Sequence, residues 1–310
     1  MLDPINDHDE RVLRIALAII ARPGDADVAD CVDHRGLAKT LRLLADHREE
    51  LAQTSRRDRW TRQHLHTSPD KLLSAAAELT EHSVIPGDPW WPDQQITALD
   101  RLGVTPPWCL WIKTRPPIDP TRIWGRAIAV LGTGDHTGYG YENTRRIVHD
   151  LGHQRHPVAA LTGPGPDHLR YGGLSAVAAY ALAADDTATG LVIGTDPVDT
   201  PSILNRAGEP AVYLTTTPPG VTDTGRDLLD YHAQLHAALA RASLILETGT
   251  EPHILTHIEA ARALHQPLFA LPGPADAIPS RYCHHLIRRG HARLVTSADD
   301  LIEDLYYADH

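Results

Sequence analysis

Ala127-Ile128-Ala129-Val130-Leu131-Gly132-Thr133-Gly134-Asp135-His136-Thr137-Gly138-Tyr139-Gly140 decides the fold class. Five apolar residues without polar alternation suit a strand buried on both faces, and the glycine-rich turn after them leads into a helical pattern at residues 143–151. The same order recurs downstream. Short apolar runs at 158–161, 190–193, 211–214, 243–246 and 268–271 alternate with helical patterns at 175–184, 227–240 and 253–264. Strand and helix in alternation predict an α/β fold, an extended Rossmann-like, mainly parallel sheet with helices on both faces. Ligands of such sheets bind at the carboxyl ends of the strands. Backbone N–H groups in the turn 132–140, at a helix N-terminus, are arranged as a phosphate cradle would be, although plain turn geometry produces the same pattern and Asp135 puts a negative charge there.

Working outward, residues 10–82 read differently. Val12, Leu13, Ile15, Ala16 and Ile19 fall at helical spacing and end at Arg22-Pro23-Gly24, and Leu37, Leu41 and Leu44 repeat the pattern. A further helix is expected over 69–80, with Ser68 as N-cap and Pro69 in the first helical position. This predicts a small helical domain over 1–83 before the sheet domain over 84–310. Arg56, Arg57, Arg59, Trp60 and Arg62 form a basic stretch that reads as a solvated helix face or as a nucleic-acid contact. The segment 215–225, rich in Thr, Pro and Gly, reads as a mobile connection or lid.

Composition narrows the function. The 310 residues carry 29 Lys plus Arg against 40 Asp plus Glu, a formal charge of −11 that as a whole repels nucleic acid and anionic membranes. Any DNA contact must then use a local basic patch. Cys31, Cys109 and Cys283 are too far apart for a paired metal or redox motif, and their odd number argues for a reducing cytoplasm. No signal-peptide order and no apolar run of about 18 residues appears, which predicts a soluble protein with no membrane contact. Among twenty histidines, His232/His236 and His253/His257 have i, i+4 spacing but no HExxH and no third ligand, so core or surface roles are favoured over a metal. Ser175 lacks a nucleophile elbow, and the adjacency of Cys283, His284 and His285 in sequence is not a catalytic geometry. No hydrolase triad, catalytic residue or cofactor is expected.

Several motifs in order resemble the DprA/Smf family of DNA-processing proteins. The family pattern G-[ST]-R-x-x-[ST]-x-Y-G is met at Gly132, Thr133, Thr137, Tyr139 and Gly140, with Gly134 in place of the arginine. Trp91-Pro92 and Pro106-Pro107-Trp108-Cys109-Leu110 resemble its lead into that domain. The spacing from a strand-end Glu247 to Pro272-Gly273 is similar, and Ser280 through His291 aligns with S-x-G-x-N-x-L-I-x-x-G-A at Ser280, Leu286, Ile287 and Gly290. Other positions depart. The register of R-N-R-x-I-x-G-L reads His232 to Leu239, without arginine or asparagine, and the family's S-G-x-A-x-G-I-D-x-x-A-H survives only as Thr162-Gly163 and a segment from Gly173. Neutral side chains cannot replace charge-assisted arginine contacts to phosphate.

The resemblance implies a non-catalytic single-stranded DNA binder that loads a RecA-type recombinase in transformation or recombination, as a homodimer. Its phosphate- or nucleotide-binding residues would be Gly132, Thr133, Gly134, Thr137, Tyr139, Gly140, Thr162, Gly163, Glu247, Pro272 and Gly273. Glu247 would touch a ribose hydroxyl, or else cap the next helix. DNA contact is expected from Arg281, Tyr282, Arg288, Arg289 and Arg293, in a stretch without an acidic residue that also reads as a solvated helix end. The alternative is a diverged Rossmann-like nucleotide-binding or protein-interaction module that has lost DNA binding.

Overall fold

The computed structural model describes residues 9–46, 68–115, 118–163, 168–185, 188–197, 212–221, 226–249 and 251–308. The basic stretch from Arg56 to Arg62 lies outside them. Helices come first: α1 (Glu10–Ile20), α2 (Ala26–Arg35), α3 (Leu37–Asp46) and α4 (Pro69–Glu78). Their starts follow local chemistry. Asp9, Asp25 and Ser68 each accept a backbone N–H of the first turn of α1, α2 and α4, and Pro69 begins α4 where no N–H is needed. The break at Gly36 separates α2 from α3, a division that the leucine spacing at 37–44 does not reveal.

The sheet then forms from β1 (Ser83–Val84), β2 (Leu110–Thr114), β3 (Ala127–Leu131), β4 (Val158–Thr162), β5 (Gly190–Gly194), β6 (Val212–Thr215), β7 (Ala240–Ile245), β8 (Leu268–Ala270) and β9 (Arg293–Leu294). Intervening helices are α5 (Asp93–Arg101), α6 (Gly138–His153), α7 (His168–Ala184), α8 (Arg226–Leu239), α9 (Pro252–Ala263), α10 (Arg281–Arg288) and α11 (Ala298–Ala308). The strand order is β1-β2-β6-β5-β4-β3-β7-β8-β9. From β6 to β9 all pairs are parallel, while β1 with β2 and β2 with β6 are antiparallel. The expected mainly parallel α/β sheet is present. The antiparallel edge is an addition that the sequence pattern did not disclose.

Helices cover both faces, as parallel strands require. One face of β3, through Ile128 and Val130, joins α6, α7 and α11 in a core that continues through Trp108 and Trp111 to α1, α3 and α4. On the other face Ala127 packs with α5 and α8, and Leu131 with α8, α9 and α10. Strand β3 is central: the chain steps from it to β4 on one side and later to β7 on the other. The crevice beyond the carboxyl ends of β3 and β7 is therefore a topological switch point, where sheets of this type hold ligands. Among the described residues no helix is long and apolar enough to cross a membrane.

Candidate functional site

The turn after β3 enters α6 through Thr137, whose hydroxyl accepts the Gly140 N–H at 3.4 Å as N-cap. Such a start exposes N–H groups toward the crevice and favours negative charge there. That charge comes from the protein. Glu247, just beyond β7 and 1 % exposed, accepts the Thr137 N–H at 2.6 Å on one oxygen and the Thr137 hydroxyl at 2.6 Å on the other. Its own backbone oxygen accepts the Thr133 N–H at 2.6 Å. Glu247 thus caps a helix, but it is α6 across the switch point and not α9, the next helix in sequence.

Gly140 is required by this arrangement, since a Cβ there would stand 2.4 Å from the Glu247 Oε2. The second hydroxyl of the turn is also committed. Thr133 Oγ1 accepts the Asp135 N–H at 3.1 Å and donates to the carboxylate of Glu251, a residue that motif reading passed over. Behind the turn, Leu174 N–H donates to the Gly132 carbonyl at 3.1 Å, across a kink in α7 at Gly173.

The Pro272-Gly273 loop closes the other side of the crevice. Tyr139 donates its hydroxyl to the Pro272 carbonyl at 2.6 Å, and burial raises the pKa of that phenol. His284 Nε2 donates to the Gly273 carbonyl at 3.0 Å, and a Cβ on Gly273 would meet the Ser280 hydroxyl. Gly132, Thr133, Thr137, Tyr139, Gly140, Glu247, Pro272 and Gly273 are therefore gathered at one edge, with α10 beside them. Thr162 points elsewhere, its hydroxyl 3.5 Å from the Ile193 carbonyl on the β5 side.

Along α10, Cys283 and Leu286 are buried, so Arg281, His285 and Arg288 share the opposite, exposed face with Arg289 beyond the helix end. None of the three arginines Arg281, Arg288 and Arg289 forms an ion pair among the described residues. Tyr282 is half-buried and stacks on His285 with ring centroids 5.9 Å apart. Arg293 differs from its neighbours. It lies on β9, donates to the Asp304 carbonyl at 3.1 Å and pairs with the Asp304 carboxylate at 3.5 Å, so it is engaged with α11.

The remaining titratable groups serve the core. Ser175 accepts the Leu161 N–H at 2.7 Å while buried. Burial and then Glu247 push the Cys283 thiol up to about 12, and burial does the same for Cys109, which keeps both protonated and unreactive. His232, His236 and His257 are fully buried. His232 Nε2 pairs with the Thr216 hydroxyl at 2.7 Å and His257 Nε2 with the Ser243 hydroxyl at 2.8 Å. Among the described residues no group of three or more His, Cys, Asp or Glu could hold a metal ion.

A protein-family model described as DNA recombination-mediator protein A matches residues 82–306. Two strains of Mycobacterium tuberculosis, CDC 1551 and H37Rv, carry a protein described as a DNA processing protein DprA that is 31 % identical over 257 residues, 77 % of this chain. The chain spans 63 % of the length of those relatives. The crystal structure of DNA processing protein A from Streptococcus pneumoniae superposes with a TM-score of 0.64 at 18 % identity, covering 95 % of this chain and 96 % of that one. That of the Helicobacter pylori protein, determined for its single-stranded DNA binding mode, superposes with a TM-score of 0.54 at 15 % identity, covering 74 % and 97 %. Motif order, switch-point geometry and the match over 82–306 agree, and the chain belongs to the DNA recombination-mediator protein A family, the DprA proteins.

Proposed function

We propose that this protein is a non-catalytic binder of single-stranded DNA that holds the phosphate backbone against the exposed face of α10. The observation that carries the reading is the row of Arg281, His285 and Arg288 with Arg289, exposed and without acidic partners among the described residues, beside the switch-point crevice of an otherwise acidic chain. Arginine without an ion-pair partner among the described residues is available for charge-assisted contact to phosphate, and the stacked Tyr282–His285 pair offers an aromatic surface for a base. Family membership extends the proposal to delivery of the strand to a RecA-type recombinase by a homodimer in the cytoplasm. Arg293 contributes less than its neighbours, because leaving Asp304 would cost it an existing pair.

The test is anisotropy of a labelled single strand over a salt series, beside a duplex control. Arg281→Ala, Arg288→Ala and Arg289→Ala combined are expected to abolish selective binding and to flatten the salt slope by about 2, at roughly 0.7 per lost phosphate contact. Arg293→Ala is expected to leave the slope unchanged. A triple variant that binds like the parent removes α10 from the interface. A second reading is a protein-interaction or nucleotide-binding module that has lost DNA binding, and Glu247 favours its protein-interaction version, since its carboxylate stands at the α6 N-terminus where a phosphate would otherwise sit. Absence of single-strand binding at low salt would favour it, and a nucleotide panel in thermal melts would then separate its two versions, since a true ligand raises the melting temperature with concentration.

A further inference from the structure

We infer that Glu251 is a specificity-determining gate, a carboxylate that sets the crevice at the start of α6 against anionic ligands. Its position is unusual for its chemistry. Glu251 is the N-cap residue of α9, yet its side chain makes no bond to that helix. Serine, threonine, aspartate and asparagine satisfy a first-turn N–H at such a position, whereas this glutamate leaves α9 uncapped. Its carboxylate instead accepts the Gly249 N–H at 3.1 Å through Oε2, and through Oε1 the Thr133 hydroxyl. Thr133 occupies the [ST] position of the glycine-rich motif, and the bond to Glu251 removes its hydroxyl as a donor to anything in the crevice.

Glu251 differs from Glu247 in what it can do. Glu247 is 1 % exposed, and both its oxygens are held by Thr137 as part of the α6 cap. Glu251 is only half-buried and held by one hydroxyl and one N–H. It adds a second negative charge to a site that Glu247 has already neutralised. The crevice thus opposes a phosphodiester, while α10 beside it attracts one. Such a juxtaposition confines the strand to the α10 side and makes affinity depend on whether Glu251 is charged, an outcome of negative charge placed where the wrong ligand would sit.

This inference rests on the reading that a single strand approaches the α6–α10 edge. It is tested on the full chain with a labelled oligothymidylate at low and high salt, comparing the parent with Glu251→Gln, Glu251→Ser and Glu259→Gln. Glutamine keeps the shape of Glu251 without its charge, its amide oxygen able to accept the Gly249 N–H while its NH2 faces the Thr133 hydroxyl as a donor; serine is a good cap for α9 and guards against a folding defect; Glu259, exposed on α9, controls for net charge. Superimposable thermal melts confirm folding. Both Glu251 variants are expected to bind about tenfold more tightly at low salt, the scale of one like-charge contact in a partly solvated site, with the gain shrinking as salt rises. Glu259→Gln is expected to leave affinity unchanged. Affinities within twofold of the parent, or equal tightening by Glu259→Gln, overturn the gate. A parent that does not bind beside a Glu251→Gln that does leaves the gate standing and removes the proposed function. A parent that binds with unresponsive variants does the reverse, and binding by none of them overturns both.

Discussion

Moving this protein from neutral pH to about pH 5 is expected to remove on the order of 6 kcal/mol of folding stability, through three histidines that the fold keeps neutral. Burial holds the His232 imidazole down at about 3 and His236 at about 4. Burial, with His236 adding to it, holds His257 well below its ordinary value. The rings of His236 and His257 meet edge to face at 4.8 Å. Neither nitrogen of His236 makes a hydrogen bond of good geometry, although the nearby Ala159 carbonyl slightly favours its charged form.

In the unfolded chain each ring titrates near 6.5, so below that pH the unfolded state binds more protons than the folded one. Stability from the neutral form is complete above about 6.5 and is lost as pH falls toward the folded-state values. Each histidine then contributes about 1.4 kcal/mol per pH unit, or about 2 kcal/mol at pH 5. Denaturant melts between pH 7.5 and 5 measure the slope. Because ordinary carboxylates lose their charge only near pH 4, the upper part of this window isolates the histidines. His236→Phe, which keeps an aromatic ring against His257, is expected to reduce the slope by about a third; an unchanged slope would show that His236 is hydrated or charged in the folded state.

Those three histidines also show where sequence stops being informative. The i, i+4 pair His232/His236, without HExxH or a third ligand, reads as core or surface rather than as ligand, and only burial decides between core and surface. Continuous apolar runs such as 127–131 and 190–193 disclosed a parallel sheet because strands covered on both faces leave no polar alternation. The antiparallel edge β1–β2 left no such trace: β1 has two residues, and β2 runs from Leu110 into the half-exposed Lys113 and Thr114. At the site, Gly132 to Gly140, Glu247, Pro272 and Gly273 were legible as separate motifs because each ends a strand. Their mutual bonds were not legible, since they join residues more than 100 positions apart, as Thr137 does with Glu247 and Tyr139 with Pro272. Glu251 escaped for a further reason: a glutamate before Pro252 reads as an ordinary helix start, and only distance to Thr133 gives it another role. Arg293 was indistinguishable from Arg288 until Asp304 was seen beside it.

Gly173→Ala is expected to be the most damaging added methyl among the described glycines, costing about 3 to 5 kcal/mol. Two independent penalties meet there. The backbone at Gly173 has φ 56° and ψ −137°, a conformation close to a region that is almost exclusive to glycine. Its hypothetical Cβ would also stand 2.0 Å from the Gly132 carbonyl oxygen and 2.6 Å from the Thr133 carbonyl carbon. Both obstacles are backbone, so no rotamer change relieves them. Relief requires the end of β3 to move away from α7, which disturbs the Leu174 to Gly132 bond and, one residue on, the Thr133 to Glu247 bond that ties β3 to β7. The glycine-rich turn is built on that tie. Gly103→Ala provides the comparison: φ there is +66°, but nothing lies within 4 Å of the added methyl, so it carries the conformational penalty alone, about 1 kcal/mol. The melting temperature of Gly173→Ala is expected to fall by on the order of 10 °C and that of Gly103→Ala by a few degrees. Equal losses would mean that β3 and α7 do not approach as closely as described. A large loss at Gly173 with single-strand affinity retained at low temperature would show that α10 binds without a correctly formed turn, and would place the whole nucleic-acid contact on the arginine face.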